Sequence, residues 1–207
     1  MTNGKINLTD FTILAFLMLF PISANAQKLR KKIAKPPSAN QVYLNDSCFK
    51  KYNFSAQRRL KNYPFNLSNS IVAVSFDFLL DVGLIDESVE KSSGLPQMNS
   101  QLYKEKIIEY AVLDSSKINT QTDILYNYDY KEQTLINTVH SCFSPRNAIV
   151  FLDSSNKILS YIEICFECKE ISISSNEIVT GNFCEGKYNI LKDFFIGLGI
   201  RKGTIEK

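Results

Sequence analysis

The chain of 207 residues is long enough for one domain with a sizeable core and short for two. Its content of 44% hydrophobic and 22% charged residues is that of a globular protein, which excludes general disorder. The net charge of +3 is small and scattered, so we expect no nucleic-acid partner, because nucleic-acid binding needs a concentrated basic stripe.

The first 26 residues have the order of a secretory signal peptide. The run Phe11 to Phe20, FTILAFLMLF, is apolar but too short to span a bilayer as a helix. Pro21 ends the run, and Ala24-Asn25-Ala26 follows as an A-x-A cleavage site. A buried core helix is the alternative, but the run has no amphipathic face. We therefore predict a signal peptide over residues 1–26, a periplasmic or secreted protein, and no membrane-spanning segment after cleavage.

Residues 27–43 are predicted to be an extended, solvated linker. Five positive charges between Lys28 and Lys35 precede the pair Pro36-Pro37. The same charges would also suit a contact with an anionic lipid or polymer of the cell envelope. The sequence therefore predicts an unidentified envelope partner or ligand, and it does not indicate an oligomeric state.

Residues 44–207 are predicted to form a single α+β domain. Apolar alternation and β-branched runs predict strands at 70–78, 104–113, 148–152, 158–166 and 169–174. The strand at 70–78 is predicted to be half-buried, and residues 81–101 are predicted to be a long loop. Helix signals follow Asp114, and a second helix is predicted over 187–200. The fold class is an antiparallel sheet of about four to five strands with two helices packed on one face.

The strands 148–152 and 158–166 are predicted to form a hairpin around Asp153-Ser154-Ser155-Asn156-Lys157, which has turn chemistry. A three-residue loop sets Asp153 opposite Lys157. The pairs that follow are Leu152 with Ile158, Val150 with Ser160, and Ala148 with Ile162. Carried outward, this register places Cys142 opposite Cys168, close to the spacing that a disulfide requires.

Cysteines are the most distinctive residues of the predicted domain. The chain has five: Cys48, Cys142, Cys165, Cys168 and Cys184. In an exported protein the default is disulfide formation, and an odd count leaves one thiol over. The candidate disulfide or thiol cluster consists of Cys142, Cys165, Cys168 and Cys184.

The C-x-x-C motif of Cys165 and Cys168 allows three interpretations. A redox centre needs a lowered thiol pKa, whereas the nearby Glu163, Glu167 and Glu170 would raise it. A disulfide staple fits better with Cys142 as the partner of Cys168, because alternation along a strand points Cys165 and Cys168 to opposite faces. Cys165 and Cys168 could bond each other only if the chain turns at Phe166-Glu167.

The third interpretation is a metal site. Its weak candidate ligands are Cys142, Cys165, Cys168 and His140, the single histidine of the chain. A tetrahedral zinc site usually has two close ligand pairs, and only one is present. A hydrolase with a Cys142–His140 pair would also need these two side chains in hydrogen-bond contact. The motifs predict no catalytic residue and no cofactor, and they leave a metal site open.

Arg146, which follows Pro145 beside the cysteines, is the candidate anion or ion-pair site. Its guanidinium fork could bind a carboxylate or phosphate of a ligand. The alternative is an ion pair with Glu163 or Glu167, which lie near it in the predicted register.

Residues 142–168 contain a pattern that is similar to one found in a group of known proteins. CFSPRNAIVF, the turn and YIEICFEC together resemble a group of small exported proteins of Bacteroidota with C-x-x-P-R, an apolar hairpin and an I-C-F-x-C end. Phe183-Cys184 and the helix 187–200 fit the same pattern. Some members carry His where this chain has Asn147, which weakens a catalytic or metal role at that position. The resemblance implies an envelope location and this fold, and it implies no reaction.

The sequence thus predicts an exported protein with a binding or structural role in the cell envelope. The cysteine-bearing hairpin is its most distinctive feature, and catalysis is not expected. The alternative is a thiol-disulfide oxidoreductase or metal-binding protein that uses Cys142, Cys165 and Cys168.

Overall fold

The computed structural model describes residues 48–78, 94–130 and 142–207. The predicted signal peptide, the predicted linker, His140 and much of the predicted loop 81–101 lie outside the described residues. None of the helices in the described part of the chain is long and apolar enough to cross a membrane.

The described residues form nine strands and three helices. The strands are β1 (Cys48–Lys50), β2 (Ser70–Phe76), β3 (Gln97–Met98), β4 (Gln101–Leu102), β5 (Ile107–Val112), β6 (Tyr128–Tyr130), β7 (Asn147–Leu152), β8 (Ile158–Cys165) and β9 (Glu170–Ile173). The helices are α1 (Ala56–Arg59), α2 (Ser115–Asn127) and α3 (Glu185–Gly197), and a 3₁₀ turn spans Lys104–Lys106.

The centre of the fold is a five-stranded antiparallel sheet with the order β5-β2-β7-β8-β9. Two further pairs, β1 with β6 and β3 with β4, form small sheets of their own. The predicted α+β class is confirmed. The predicted helix after Asp114 is also confirmed, and the Asp114 side chain caps it by accepting a hydrogen bond from the Lys117 amide at 2.8 Å.

Helices α2 and α3 cover one face of this sheet, called here the helix face. Apolar residues recur at helical spacing in both helices and alternate along the strands, so the two sets meet in one core. That core includes Ile71, Ala73, Ile149, Phe151, Ile162 and Ile164 from the strands and Ile124, Leu125, Leu191 and Phe195 from the helices.

The opposite face of the sheet is also buried at its centre. Val72, Val74 and Phe76 of β2 share a second core with Val150 of β7 and with Leu95. The prediction of a half-buried strand at 70–78 is therefore wrong, since every residue from Ile71 to Phe76 is buried. The segment around Leu95, which helps to cover this face, lies outside β2 in the sequence. The pattern of β2 alone therefore does not predict that its second face is buried.

The hairpin of β7 and β8 has the predicted turn but a different register. Asn156 has the left-handed φ of 59°, and Leu152 pairs with Ile158 as predicted. Beyond that pair a bulge inserts Leu159, so Val150 faces Tyr161 and Ala148 faces Glu163. The predicted pairs of Val150 with Ser160 and Ala148 with Ile162 are wrong by one residue for this reason.

A disulfide between Cys48 and Cys184 joins β1 to the start of α3, with 5.6 Å between the two Cα atoms. It closes a loop over a sequence separation of 136 residues. Strand β1 in turn pairs with β6, directly after α2. The disulfide therefore ties the first described segment to α3, and the β1–β6 pair ties it to the end of α2.

Candidate functional site

Three of the four cysteines predicted to cluster meet at the end of the β7–β8 hairpin. Strand β8 ends at Cys165, and the chain turns back over residues 166–169 into β9, with Lys169 at a left-handed φ of 51°. The turn lets the Cys168 amide donate to Cys165 Sγ at 3.2 Å. The prediction that Cys165 and Cys168 point apart is wrong, because it assumed a strand that continues past Cys165.

The Cys168 thiol lies beside the thiols of both Cys142 and Cys165. Burial and these two contacts raise the pKa of Cys168 to about 12. Cys142 is exposed, Cys165 and Cys168 are buried, and all three are free thiols. A buried thiol with a raised pKa is a poor nucleophile and a poor metal ligand at neutral pH.

The contact of Cys142 with Cys168 arises by a route that the sequence did not predict. The β7–β8 ladder stops at the pair of Asn147 with Ile164, and Cys165 pairs with Glu170 of β9. The ladder therefore never reaches Cys142, and the turn after β8 makes the contact instead.

Cys184 stands apart from this cluster. The prediction that Cys184 joins the other three cysteines is wrong, because Cys184 forms the disulfide with Cys48. Within the described ranges, no group of three or more His, Cys, Asp or Glu side chains could hold a metal ion. His140, the remaining candidate ligand, lies outside those ranges.

Arg146 lies beside the thiols and forms an ion pair. Its Nη1 lies 3.1 Å from Glu167 Oε2, the second of the two partners considered from the sequence. Glu163, the other partner considered, lies on the face of the sheet away from the helices, where it accepts a hydrogen bond from the Leu95 amide at 2.7 Å. The Arg146 guanidinium is thus already occupied by a carboxylate of the chain.

Glu163 is a buried carboxyl on the face of the sheet away from the helices. Burial raises its pKa from the ordinary 4.5 to about 7, although the amides of Leu95 and Gly94 act in the opposite direction. The folded state therefore holds this proton more tightly than the unfolded chain does. As a result, the free energy of unfolding falls as the pH rises from about 4.5 through 7.

The substitution Glu163→Gln should remove this pH dependence. Glutamine keeps an oxygen that can accept from the Leu95 amide but carries no charge at any pH. We expect the variant to exceed the wild type in free energy of unfolding by about 1 kcal/mol or more above pH 7, and to match it near pH 4.5. Urea unfolding at several pH values measures this, and parallel pH profiles of the two proteins would contradict it.

A second site, which the sequence analysis missed, is a cleft of about 430 Å³ beside the disulfide. It lies between the segment from β1 to α1, the end of α2 with β6, and the loop before α3. Its described lining residues are Tyr52, Phe54, Arg58, Arg59, Asn62, Tyr126, Asp129, Val179, Gly181 and Asn182. We call it the arginine cleft.

The floor of the arginine cleft is the buried carboxylate of Asp129. Its oxygens accept hydrogen bonds from the Tyr52 hydroxyl at 3.1 Å, the Tyr130 amide at 2.7 Å and the Asn182 side-chain amide at 3.1 and 3.2 Å. Lys187 lies buried near it and donates to the carbonyls of Leu125 and Asn182. These donors hold Asp129 as a fixed part of the wall.

The rim of the cleft is a stack of rings and cations. The rings of Tyr52 and Phe54 are nearly parallel, 5.1 Å apart between centroids, and the Arg58 guanidinium lies 4.0 Å from the Phe54 centroid. Arg58 is exposed, and none of the ion pairs within the described residues involves it. The rim thus presents a cation that no carboxylate of the described segments pairs with.

Arg59, the next residue, is buried and holds the wall together. It donates to the Phe54 carbonyl, to the backbone and side chain of Asn119, and to Thr122 Oγ1 at 3.1 Å. Its guanidinium also lies 3.6 Å from Asp123. The two adjacent arginines therefore differ in role. Arg59 helps to attach α1 and Phe54 to α2, and Arg58 faces the cleft.

One sequence signal could have indicated this site. Residues 47–76 contain five cations and no acidic residue. Two of these cations, Lys50 and Arg59, pair with Asp123 in the structure, which leaves Arg58 among the uncompensated ones. The signal marks an electropositive segment, but it does not reveal the distant residues that complete the cleft.

Comparisons of the chain with protein-family models, with curated proteins and with solved structures found no match.

Proposed function

We propose that the protein is an exported, non-catalytic binding protein whose arginine cleft takes a sugar that carries a carboxylate. The observation that supports this most directly is the position of Arg58. Its guanidinium is fixed over the Phe54 ring at the rim of a cleft of about 430 Å³, and no carboxylate of the described chain neutralises it. A guanidinium held in this way is suited to bidentate binding of a carboxylate.

The remaining lining residues suit the rest of a sugar. Phe54, Tyr126 and Val179 supply apolar surface for the C–H groups of a sugar ring. The side-chain amides of Asn62 and Asn182 line the same space and can hydrogen-bond to hydroxyl groups.

The lining argues for binding without catalysis. Asp129 is the single carboxylate among the described lining residues, and its oxygens are already occupied by donors of the chain. Hydrolysis of a glycosidic bond commonly needs two carboxyl groups with different protonation states. The described lining offers neither the pair nor a free base.

Two features support export. The Cys48–Cys184 disulfide suits an oxidising compartment, since such bonds are rare in the cytosol. The apolar run and A-x-A motif before Gln27 are typical of a signal peptide. An acidic polymer of the cell envelope would supply the proposed ligand in that compartment.

The test is isothermal titration calorimetry with the mature chain. We expect trigalacturonate to bind and neutral maltotriose to bind at least about tenfold more weakly, and the substitution Arg58→Ala to lower the affinity for trigalacturonate by about 10- to 100-fold. Lys104→Ala, which removes another exposed cation away from the cleft, is the matched control and should not change the affinity. Equal binding of both sugars, or an Arg58→Ala variant with unchanged affinity, would reject the proposal.

The thiol cluster is proposed to be structural. Thiol-disulfide exchange or metal binding there would require a thiolate, and burial raises the pKa of Cys168 to about 12. The exposed Cys142 offers the one accessible thiol of the three. A metal that binds the mature chain and is lost in Cys142→Ser would favour the alternative instead.

A further inference from the structure

The outer edge of the central sheet at β5 is open in the described structure. β5 pairs with β2 on one side, and no described strand pairs with its other side. The Leu113 amide donates to the Ile71 carbonyl of β2 at 2.9 Å. Since backbone groups alternate along a strand, Val112 and Tyr110 direct theirs away from β2, where they can pair with another strand.

The same edge also exposes large apolar side chains. Ile108, Tyr110 and Val112 are 49%, 49% and 62% exposed. Tyr110 borders a hollow of about 260 Å³ that Leu102 and Leu152 also line. An exposed apolar edge with free backbone groups is an association site unless charge or a bulge blocks it.

The charges around β5 favour a second copy of this chain as the neighbour. Lys104, Glu105 and Lys106 precede the strand and together carry a net positive charge, whereas Asp114, whose carboxylate also caps α2, follows it. An antiparallel neighbour of identical sequence places the basic end of each strand beside the acidic end of the other. A parallel neighbour would set like charges side by side.

The bulge at Ile108 limits how far the strands can pair. The register of β5 on β2 is regular from Val112 to Glu109 and shifts before Ile107. The regular part contains both outward-facing residues, Tyr110 and Val112. Pairing centred on this part avoids the bulge and brings the exposed apolar side chains of two copies together.

We propose that the protein self-associates through β5, and that two sheets join edge to edge and antiparallel into one continuous ten-stranded sheet. The proposed dimer leaves the arginine cleft open, because the described lining residues of the cleft contain no residue of β5. It is therefore independent of the proposed function.

The test is the molar mass of the mature chain by light scattering over a range of concentrations up to about 100 μM, a range suited to weak association. We expect a concentration-dependent dimer that Val112→Lys shifts to monomer by placing like charges next to each other at the edge. Leu67→Lys is the matched control, since Leu67 is 63% exposed but lies outside the sheet, and it should dimerise as the wild type does.

A second variant separates edge pairing from loss of folding. Val112→Pro removes an outward amide that β2 does not use, so the monomer should keep its circular dichroism spectrum while the dimer is lost. A wild type that stays monomeric at every concentration, or a dimer that survives both Val112 substitutions, would overturn the proposal.

Discussion

The double substitution Cys48→Ser with Cys184→Ser should lower the free energy of unfolding by about 2–5 kcal/mol. The bond closes a loop with a sequence separation of 136 residues, so its loss returns much conformational freedom to the unfolded chain. In the folded state it joins β1 to the residue just before α3, and Cys184 is fully buried. At Cys184, serine should disturb the fold less than alanine would, because its hydroxyl can cap the helix that begins at the next residue.

Chemical unfolding of the oxidised wild type and the double variant measures this effect. Cys142→Ser is the control, since Cys142 is exposed and forms no disulfide, and its replacement should change the stability by less than about 0.5 kcal/mol. Peptide mapping without reduction should recover a peptide that links Cys48 to Cys184. A link of Cys184 to any of the other three cysteines, or an unchanged stability in the double variant, would contradict the described connectivity.

The substitution Arg59→Ala should destabilise the fold by about 3 kcal/mol. The side chain is 5% exposed and donates to the carbonyls of Phe54 and Asn119 and to the Thr122 hydroxyl. Alanine removes a charged donor from all three acceptors, of which the carbonyls of Phe54 and Asn119 keep hydrogen bonds from Asn127 and Thr122. It also removes one of the two cations beside Asp123. The segment that carries Tyr52 and Phe54 would then be attached to α2 through Asn127, which is hydrogen-bonded to Phe54 and to the amides of Lys51 and Tyr52.

Arg58→Ala is the matched control for Arg59→Ala. The two arginines are adjacent, but Arg58 is exposed and contacts the Phe54 ring, so its loss should cost less than about 1 kcal/mol. Urea unfolding of the two variants should therefore give clearly different midpoints. Equal midpoints would mean that the buried hydrogen bonds of Arg59 do not stabilise the fold.

The sheet and the two covering helices were predictable because their signals are local. Alternation in β2, the apolar strands β7 and β8 around a turn with Asn156, and the helical spacing before Gly197 each lie within a few neighbouring residues. The register of the hairpin was not predictable to the residue. Its bulge at Leu159 has no signal in composition or periodicity, and a shift of one residue changes every pair beyond it.

The candidate sites were less predictable because they join distant parts of the chain. The disulfide joins Cys48 to Cys184, whereas the hairpin register predicted from the sequence paired Cys168 with Cys142 and gave no partner for Cys48. The arginine cleft combines residues near 54, 129 and 181, which are brought together by the β1–β6 pair and the disulfide. Strand β1, of three residues, carries no periodicity that would identify it.

The most direct test of the arginine cleft is amide chemical-shift mapping of the ¹⁵N-labelled mature protein during titration with trigalacturonate. We predict that the largest shifts occur at Asn62, Gly181 and Asn182, and that they disappear in Arg58→Ala. Amides near Cys142 and Cys168 should stay unchanged, since they lie outside the cleft. Shifts confined to the thiol cluster, or none at millimolar sugar, would contradict a carboxylate-binding cleft.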